Sequence, residues 1–170
     1  YCLVGSATPA SCPGGTSSNV MGAKAEADCL ACPAGTFCFP GSTLPMSCRP
    51  GTISSAARAE MCTDCPAGEY QDASGQTACK ACTAGYYCAA GSSNPLPCPA
   101  GKRADTSLAV MTSEAQCITC AAGSYCSVGA AVETPCAPGT FGGSAGSSTC
   151  TPCPAGEYQD ASGQTACKAC

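Results

Sequence analysis

Cysteine is the residue type with the most chemistry to offer in this chain of 170 residues, which holds 20 of them. Structural disulfides, metal coordination and C-x-x-C redox exchange are the three uses open to thiols at that density. Cys62, Cys65, Cys79 and Cys82 are spaced x2, x13, x2, as in a zinc ribbon. Against zinc, there is no His, and the intervening cysteines follow a C-x5-C-x9-C rhythm without paired knuckles. The C-x2-C pairs also lack the α/β setting of a redox motif. Disulfides are therefore expected, with no metal and no cofactor. Two further patterns have the letter of an active site. Gly142, Ser144 and Gly146 spell G-x-S-x-G, but that elbow needs a His base and a strand–turn–helix. Glu69 and Asp72 form a carboxylate pair in a loop with no apolar pocket to raise a pKa. No catalytic residue is assigned, and the expectation is a protein that is not an enzyme.

The elements that must hold these cysteines cannot rest on an ordinary core. Leu, Ile, Val and Phe number 15 in the whole chain, so apolar burial is too small to order it unaided. Net charge is −4, from 7 Lys and Arg against 11 Asp and Glu, which gives no footprint for nucleic acid or an anionic membrane. No stretch is apolar enough for membrane insertion. Cysteines at this density place the chain in an oxidising compartment. The expected location is extracellular: secreted, on a cell surface or in an appendage.

Internal repeats organise the chain. Residues 62–82 and 150–170 match at every position except Asp64 and Pro152, which points to a recent duplication. Most cysteines open a C-x-x-G step, often followed two residues on by an aromatic: Phe37, Tyr70, Tyr87, Tyr125, Phe141 or Tyr158. The glycine supplies a positive-φ turn, and the ring is expected to cover the sulfur bridge. Four-cysteine modules span residues 32–64, 82–119 and 120–152, with a truncated one at 1–31; two-cysteine loops span 65–81 and 153–169; Cys170 starts a further module. Both ends fall inside modules, so the chain reads as a window on a longer array. With Gly 20 and Pro 14, the fold class expected is small disulfide-rich repeats: an elongated tandem array of short β-hairpins and loops with little regular secondary structure. Residues 23–28, 55–61 and 108–116 are weakly helical in pattern, and the x9 segments read as connecting loops.

The two-cysteine loops have one local pairing, Cys65–Cys79 and Cys153–Cys167. Each four-cysteine module allows interlocked, sequential or nested pairing. Loop size favours the interlocked form, because the x15 between Cys32 and Cys48 approaches the x13 of the short loops. That choice gives Cys32–Cys48, Cys38–Cys62, Cys82–Cys98, Cys88–Cys117, Cys120–Cys136, Cys126–Cys150 and Cys2–Cys29, leaving Cys12 and Cys170 unpaired. Sequential pairing is the main alternative.

The run from Cys65 to Cys82, CPAGEYQDASGQTACKAC, resembles the cysteine-rich repeat of ephrin receptors, with its C-x-x-G-x-[YF] opening and C-x13-C-x2-C frame. The frame is also similar to the first loop of tumour-necrosis-factor-receptor modules, and Cys32 to Cys79 is similar to an EGF-like module. The CPAGTFC and CTAGYYC elements resemble those of large extracellular surface and flagellar-hair (mastigoneme) proteins of algae and protists. The resemblance spans nearly the whole chain and implies extracellular cysteine-rich repeats. Such repeats serve filaments, adhesins and receptors alike.

The functional expectation is a non-enzymatic structural repeat protein: a segment or subunit of a filament, flagellar hair or cell-surface coat, held by disulfides. Its expected partners are like or related chains in a fibrous assembly. O-linked glycans fit the Ser/Thr- and Pro-rich x9 segments, whereas neither Asn19 nor Asn94 lies in an N-glycosylation sequon. The alternative is a receptor or adhesin stalk that binds a protein ligand. Its hot spot would lie in residues 101–116, with Lys102, Arg103, Leu108, Val110 and Met111. A turn packed on the next module is the plainer reading of that loop.

Overall fold

The computed structural model describes residues 1–170. Its strands are all two residues long and pair antiparallel as nine hairpins in chain order. The first is β1–β2 (Thr16–Ser17, Leu30–Ala31), the second β3–β4 (Thr36–Phe37, Met46–Ser47) and the third β5–β6 (Thr52–Ile53, Thr63–Asp64). The fourth is β7–β8 (Glu69–Tyr70, Lys80–Ala81), the fifth β9–β10 (Tyr86–Tyr87, Leu96–Pro97) and the sixth β11–β12 (Lys102–Arg103, Ile118–Thr119). The last three are β13–β14 (Ser124–Tyr125, Thr134–Pro135), β15–β16 (Thr140–Phe141, Thr151–Pro152) and β17–β18 (Glu157–Tyr158, Lys168–Ala169). Two compact units share them: Tyr1–Ala81 with Ala90–Asn94, and Cys82–Ala89 with Pro95–Cys170.

All nine hairpins begin alike, with an opening cysteine: Cys12, Cys32, Cys48, Cys65, Cys82, Cys98, Cys120, Cys136 or Cys153. Three residues on stands a glycine with φ between +75° and +91°. It allows the next amide to donate back across the turn, as Thr36 does to Pro33 and Tyr86 to Thr83, both near 3 Å. The first strand follows this turn, and the second strand leads into the next opening cysteine. In most hairpins that cysteine's amide donates to the turn glycine's carbonyl, for example Cys48 to Gly35 and Cys136 to Gly123. A four-cysteine module is thus two such hairpins. The x9 segments are not connectors but the turn and return strand of one hairpin.

Each opening cysteine makes a disulfide inside its own hairpin. The interlocked pairing is overturned in every long module. In its place the structure has Cys12–Cys29, Cys32–Cys38, Cys48–Cys62, Cys82–Cys88, Cys98–Cys117, Cys120–Cys126 and Cys136–Cys150. Cys12 is bonded, not free, and Cys2 takes its place with Cys170 as an exposed thiol. The reason is local. Either the cysteine just after the first strand or the one just before the second lies beside the opener once the turn forms, whereas Cys32 and Cys48 open different hairpins. Cys65–Cys79 and Cys153–Cys167 complete the set.

The interior is made of sulfur. Apart from Ala104, the side chains that are less than 2% exposed are all cysteines, while Val4 and Met21 are fully exposed. Tyr87 packs against the cluster that holds the Cys98–Cys117 bridge, but no ring is fully buried: Phe37, Tyr70, Tyr87, Tyr125 and Phe141 are half-buried and Tyr158 is exposed. They occupy the second position of the first strand and face cross-strand neighbours such as Met46, Lys80 and Leu96. In the fourth and ninth hairpins, which lack a cysteine after the first strand, buried Gln71 and Gln159 stand there. Each spans its own loop: Gln71 Nε2 donates to Ala78 at 2.7 Å and its Oε1 accepts from Ala73 at 3.1 Å. Helix is confined to single 3₁₀ turns at Glu26–Asp28 and Glu114–Gln116. The 55–61 segment is not helical because Arg58 adopts φ +67°.

Successive hairpins stack mainly through backbone. The amide after each first strand donates to the following hairpin's loop at 2.8–3.2 Å: Ser18 to Ser42, Cys38 to Ala59, Ser54 to Gln76 and Gln71 to Ser92 in the first unit. Cys88 to Met111, Ala104 to Ala130, Cys126 to Ser147 and Gly142 to Gln164 do the same in the second. Except before Met111, the residue before the acceptor is a left-handed loop residue whose own amide donates to the previous opener's carbonyl at 2.8–2.9 Å, as Gly41 does to Cys12 and Gly146 to Cys120. Arg58 holds this position in the third hairpin, which makes it the only non-glycine residue with positive φ. The carbonyl of that loop residue then lies over the turn glycine two hairpins back. A Cβ at Gly15, Gly35, Gly51, Gly101 or Gly123 would stand 2.1–2.2 Å from such an oxygen.

Two measurements test this arrangement. Non-reducing peptide mapping is expected to return the within-hairpin pairs above; recovery of a Cys32–Cys48 peptide would contradict them. Gly123→Ala and Gly139→Ala both place a Cβ on a positive-φ backbone, at a cost of about 1 kcal/mol. Only at Gly123 does that Cβ also meet a carbonyl, since Gly139 has nothing within 4 Å. Thermal unfolding should show Gly123→Ala lowering Tm at least twice as far; equal shifts would refute the stacking contact.

Candidate functional site

One step of the stack is built differently, and it falls in the loop singled out from the sequence. In the sixth hairpin the residue before the stacking acceptor Met111 is Val110, where other hairpins have glycine or Arg58. A β-branched residue does not enter the left-handed region without severe strain, and Val110 does not. Its amide accordingly makes no bond to the Cys82 carbonyl. Gly85 also loses its usual partner: its amide donates to no backbone carbonyl, and nothing lies within 4 Å of where its Cβ would stand.

An apolar contact replaces the missing bonds. Met111 is 3% exposed and packs with Cys98, Ala104, Cys117 and the partly buried ring of Tyr87, which it meets in a parallel β-bridge. The loop leading to it is braced at both ends. Asp105 Oδ1 accepts from the Ser107 hydroxyl at 2.6 Å and the Ser107 amide at 3.0 Å; these bonds hold its carboxyl below the usual aspartate value. Gln116 Oε1 accepts from the Thr112 and Ser113 amides at 2.6 and 3.2 Å. Lys102 and Arg103 lie in β11, and Lys102 reaches Glu114 at 3.5 Å. Around Met111 the loop therefore packs on the preceding hairpin, while its start, at Gly101, Arg103 and Ala104, meets the next module. It leaves Leu108 and Val110 partly exposed on the rim of a pocket of about 150 Å³, whose opposite wall is Thr83, Ala84, Gly85 and Tyr86.

A second surface was not legible beforehand. Phe37 and Phe39 meet edge to face at 5.2 Å beside a shallow hollow shared with Arg49, Met61 and Asp64. Phe39 is 52% and Met61 70% exposed. Phe39 lies just outside the C-x-x-G-x-aromatic frame, so the repeat pattern gave it no signal.

The other residues singled out from the sequence fall apart as sites. Cys62, Cys65, Cys79 and Cys82 belong to three different disulfides. Gly142 to Gly146 is the loop of the eighth hairpin: Gly142 bonds to Gln164, and Gly146 is its stacking glycine. Asp72 does not pair with Glu69 but accepts from Lys80 Nζ at 2.6 Å, with the ammonium 5.8 Å from the Tyr70 ring centroid. The duplicate repeats this: Asp160 and Lys168 are 2.6 Å apart, with Lys168 5.7 Å from the Tyr158 ring.

Such an array of disulfide-closed hairpins defines a cysteine-rich tandem-repeat protein of extracellular type. Residues 51–89 and 139–170 match the family described as tyrosine-protein kinase ephrin type A/B receptor-like. These two segments contain the duplicated stretch. A search of the curated proteins returns no match. No helix is long and apolar enough to cross a membrane.

The duplicated ion pairs give a titration test. The hydrogen bond from Lys80 holds the Asp72 carboxyl below the ordinary aspartate value, and the same bond raises Lys80. A carboxylate lowered on folding contributes in full above its unfolded pKa and loses that contribution as pH falls through the folded value. The raised lysine contributes below its unfolded pKa and loses its share as pH rises through the folded one. NMR titration should show Asp72 and Asp160 titrating below the ordinary value. Lys80→Met should return Asp72 alone to it; an unmoved Asp72 would contradict the pairing.

Proposed function

We propose that this chain is a non-enzymatic structural repeat protein, part of an extracellular filament, flagellar hair or cell-surface coat. The observation that carries the reading is the stacking rule. Hairpin follows hairpin through the same backbone bonds, each hairpin is closed by its own disulfide, and one stretch recurs almost unchanged. An array of this kind grows by adding units without a new core, because each unit contacts only near neighbours. Its work is mechanical: covalent loops hold a shape that 15 Leu, Ile, Val and Phe residues could not hold by burial. Like or related chains are the partners this reading implies, and the exposed Ser/Thr loops have room for O-linked sugars.

The pocket at the sixth hairpin favours a second reading, a receptor or adhesin stalk that presents this departure from the rule to a protein ligand. Electron microscopy of the native material decides between the two. Ordered fibres with a regular repeat, dispersed by reductant, are expected. Isolated molecules each carrying a bound partner would overturn the filament reading and support the stalk.

A further inference from the structure

We propose that the open socket over Gly85 receives a glycine-bearing turn from a second copy of this chain. The inference rests on the assembly reading above and names the contact that would build it. The turn glycines Gly15, Gly35, Gly51, Gly101 and Gly123 each lie under the carbonyl of a left-handed loop residue from two hairpins on. Gly85 has the same φ, +84°, and the same lack of a side chain, yet nothing covers it; the other open turn glycines, Gly139 and Gly156, have no hairpin two further on to cover them. The step from the fifth to the sixth hairpin departs from the rule at Val110, which is not left-handed, and the seventh hairpin's Gly129 carbonyl does not reach Gly85, although the Gly129 amide keeps its bond to Cys98. What remains is a vacant copy of a socket that this chain fills five times with its own backbone.

The chemistry of the socket matches a backbone turn. The Gly85 amide and the Cys82 carbonyl have no backbone partner here, whereas the amides of Gly15, Gly35, Gly51, Gly101 and Gly123 and most opening-cysteine carbonyls are bonded. Leu108 and Val110 give an apolar rim, and the pocket of about 150 Å³ admits a tight turn of small residues. The chain displays such a turn in its second hairpin. Gly41 is exposed with φ +82°, its carbonyl accepts no backbone bond, and the neighbouring Phe39 is 52% exposed. Socket and turn lie on different hairpins, so the contact is heterologous, the kind that propagates into an open chain of subunits unless its rotation closes a ring.

Sedimentation velocity over a concentration series tests this with two variants. Ala84→Arg places a long cation on the exposed lip of the open socket. Ala34→Arg makes the same change beside Gly35, whose socket the Gly75 carbonyl already fills. The wild-type chain should associate with rising concentration, Ala84→Arg should weaken that association at least tenfold, and Ala34→Arg should leave it unchanged. The Gly85 amide resonance should shift with concentration in the wild type. Association that is indifferent to Ala84→Arg would overturn the socket and leave the assembly reading standing. A wild-type chain that stays monomeric with a fixed Gly85 resonance would also overturn it, whereas the assembly reading fails only if the native material forms no fibres.

Discussion

Everything in this molecule depends on the bond that ties each opening cysteine to a second cysteine of the same hairpin. Two-residue strands bring too few hydrogen bonds to offset the entropy of ordering the loops between them, a cost on the order of 1–2 kcal/mol per residue. A disulfide that closes a loop of about 15 residues contributes on the order of 3 kcal/mol by restricting the unfolded chain. Buried sulfur then supplies the interior that larger side chains supply elsewhere. With the opener fixed, its turn glycine, its first strand and the stacking amide beyond it are all placed, because each lies within a few residues of it.

The contacts between hairpins use almost no side chains, which explains how such varied loops coexist on one frame. The residue after the first strand is Ser, Cys, Gln, Ala or Gly in different hairpins, and its amide does the same work in all of them. Backbone conformation at the loop residue is the stricter condition. Arg58 meets it at the expense of a strained φ and keeps the stack regular. Val110 does not meet it, and an apolar cluster around Met111 takes over. These two substitutions in one repeat position show the boundary between what the stack absorbs and what breaks it.

Much of the fold was legible in the residues themselves. The C-x-x-G-x-aromatic rhythm identified the turns and the first strands, and cysteine density identified the source of order. The pairing was misread although its signal was present. Cys48 and Cys62 are separated by x13, as are Cys65 and Cys79, and this match was a closer one than the x15 that favoured Cys32–Cys48. Counting modules by four cysteines hid the single hairpin that both kinds of module share. The role of position 110 was not readable in advance, since an absent glycine gains meaning only once the neighbouring bonds show where a glycine belongs. The spacing placed the rings two residues past each turn glycine, but on these short hairpins they sit beside their cross-strand partners and stay partly exposed.

No disulfide of this chain joins one hairpin to another, and that fact governs how it would bear a load. Pulling on the ends cannot draw out the residues inside a closed loop. The Cys65–Cys79 loop, for example, spans only 5.8 Å between its Cα atoms. Opened by reduction, the same segment could extend to about 50 Å at 3.3–3.6 Å per residue. The shorter loop between Cys32 and Cys38 would release less than half as much. The chain thus carries a reserve of hidden length, divided into separate parcels, and the redox state of its surroundings sets how much of it tension can release.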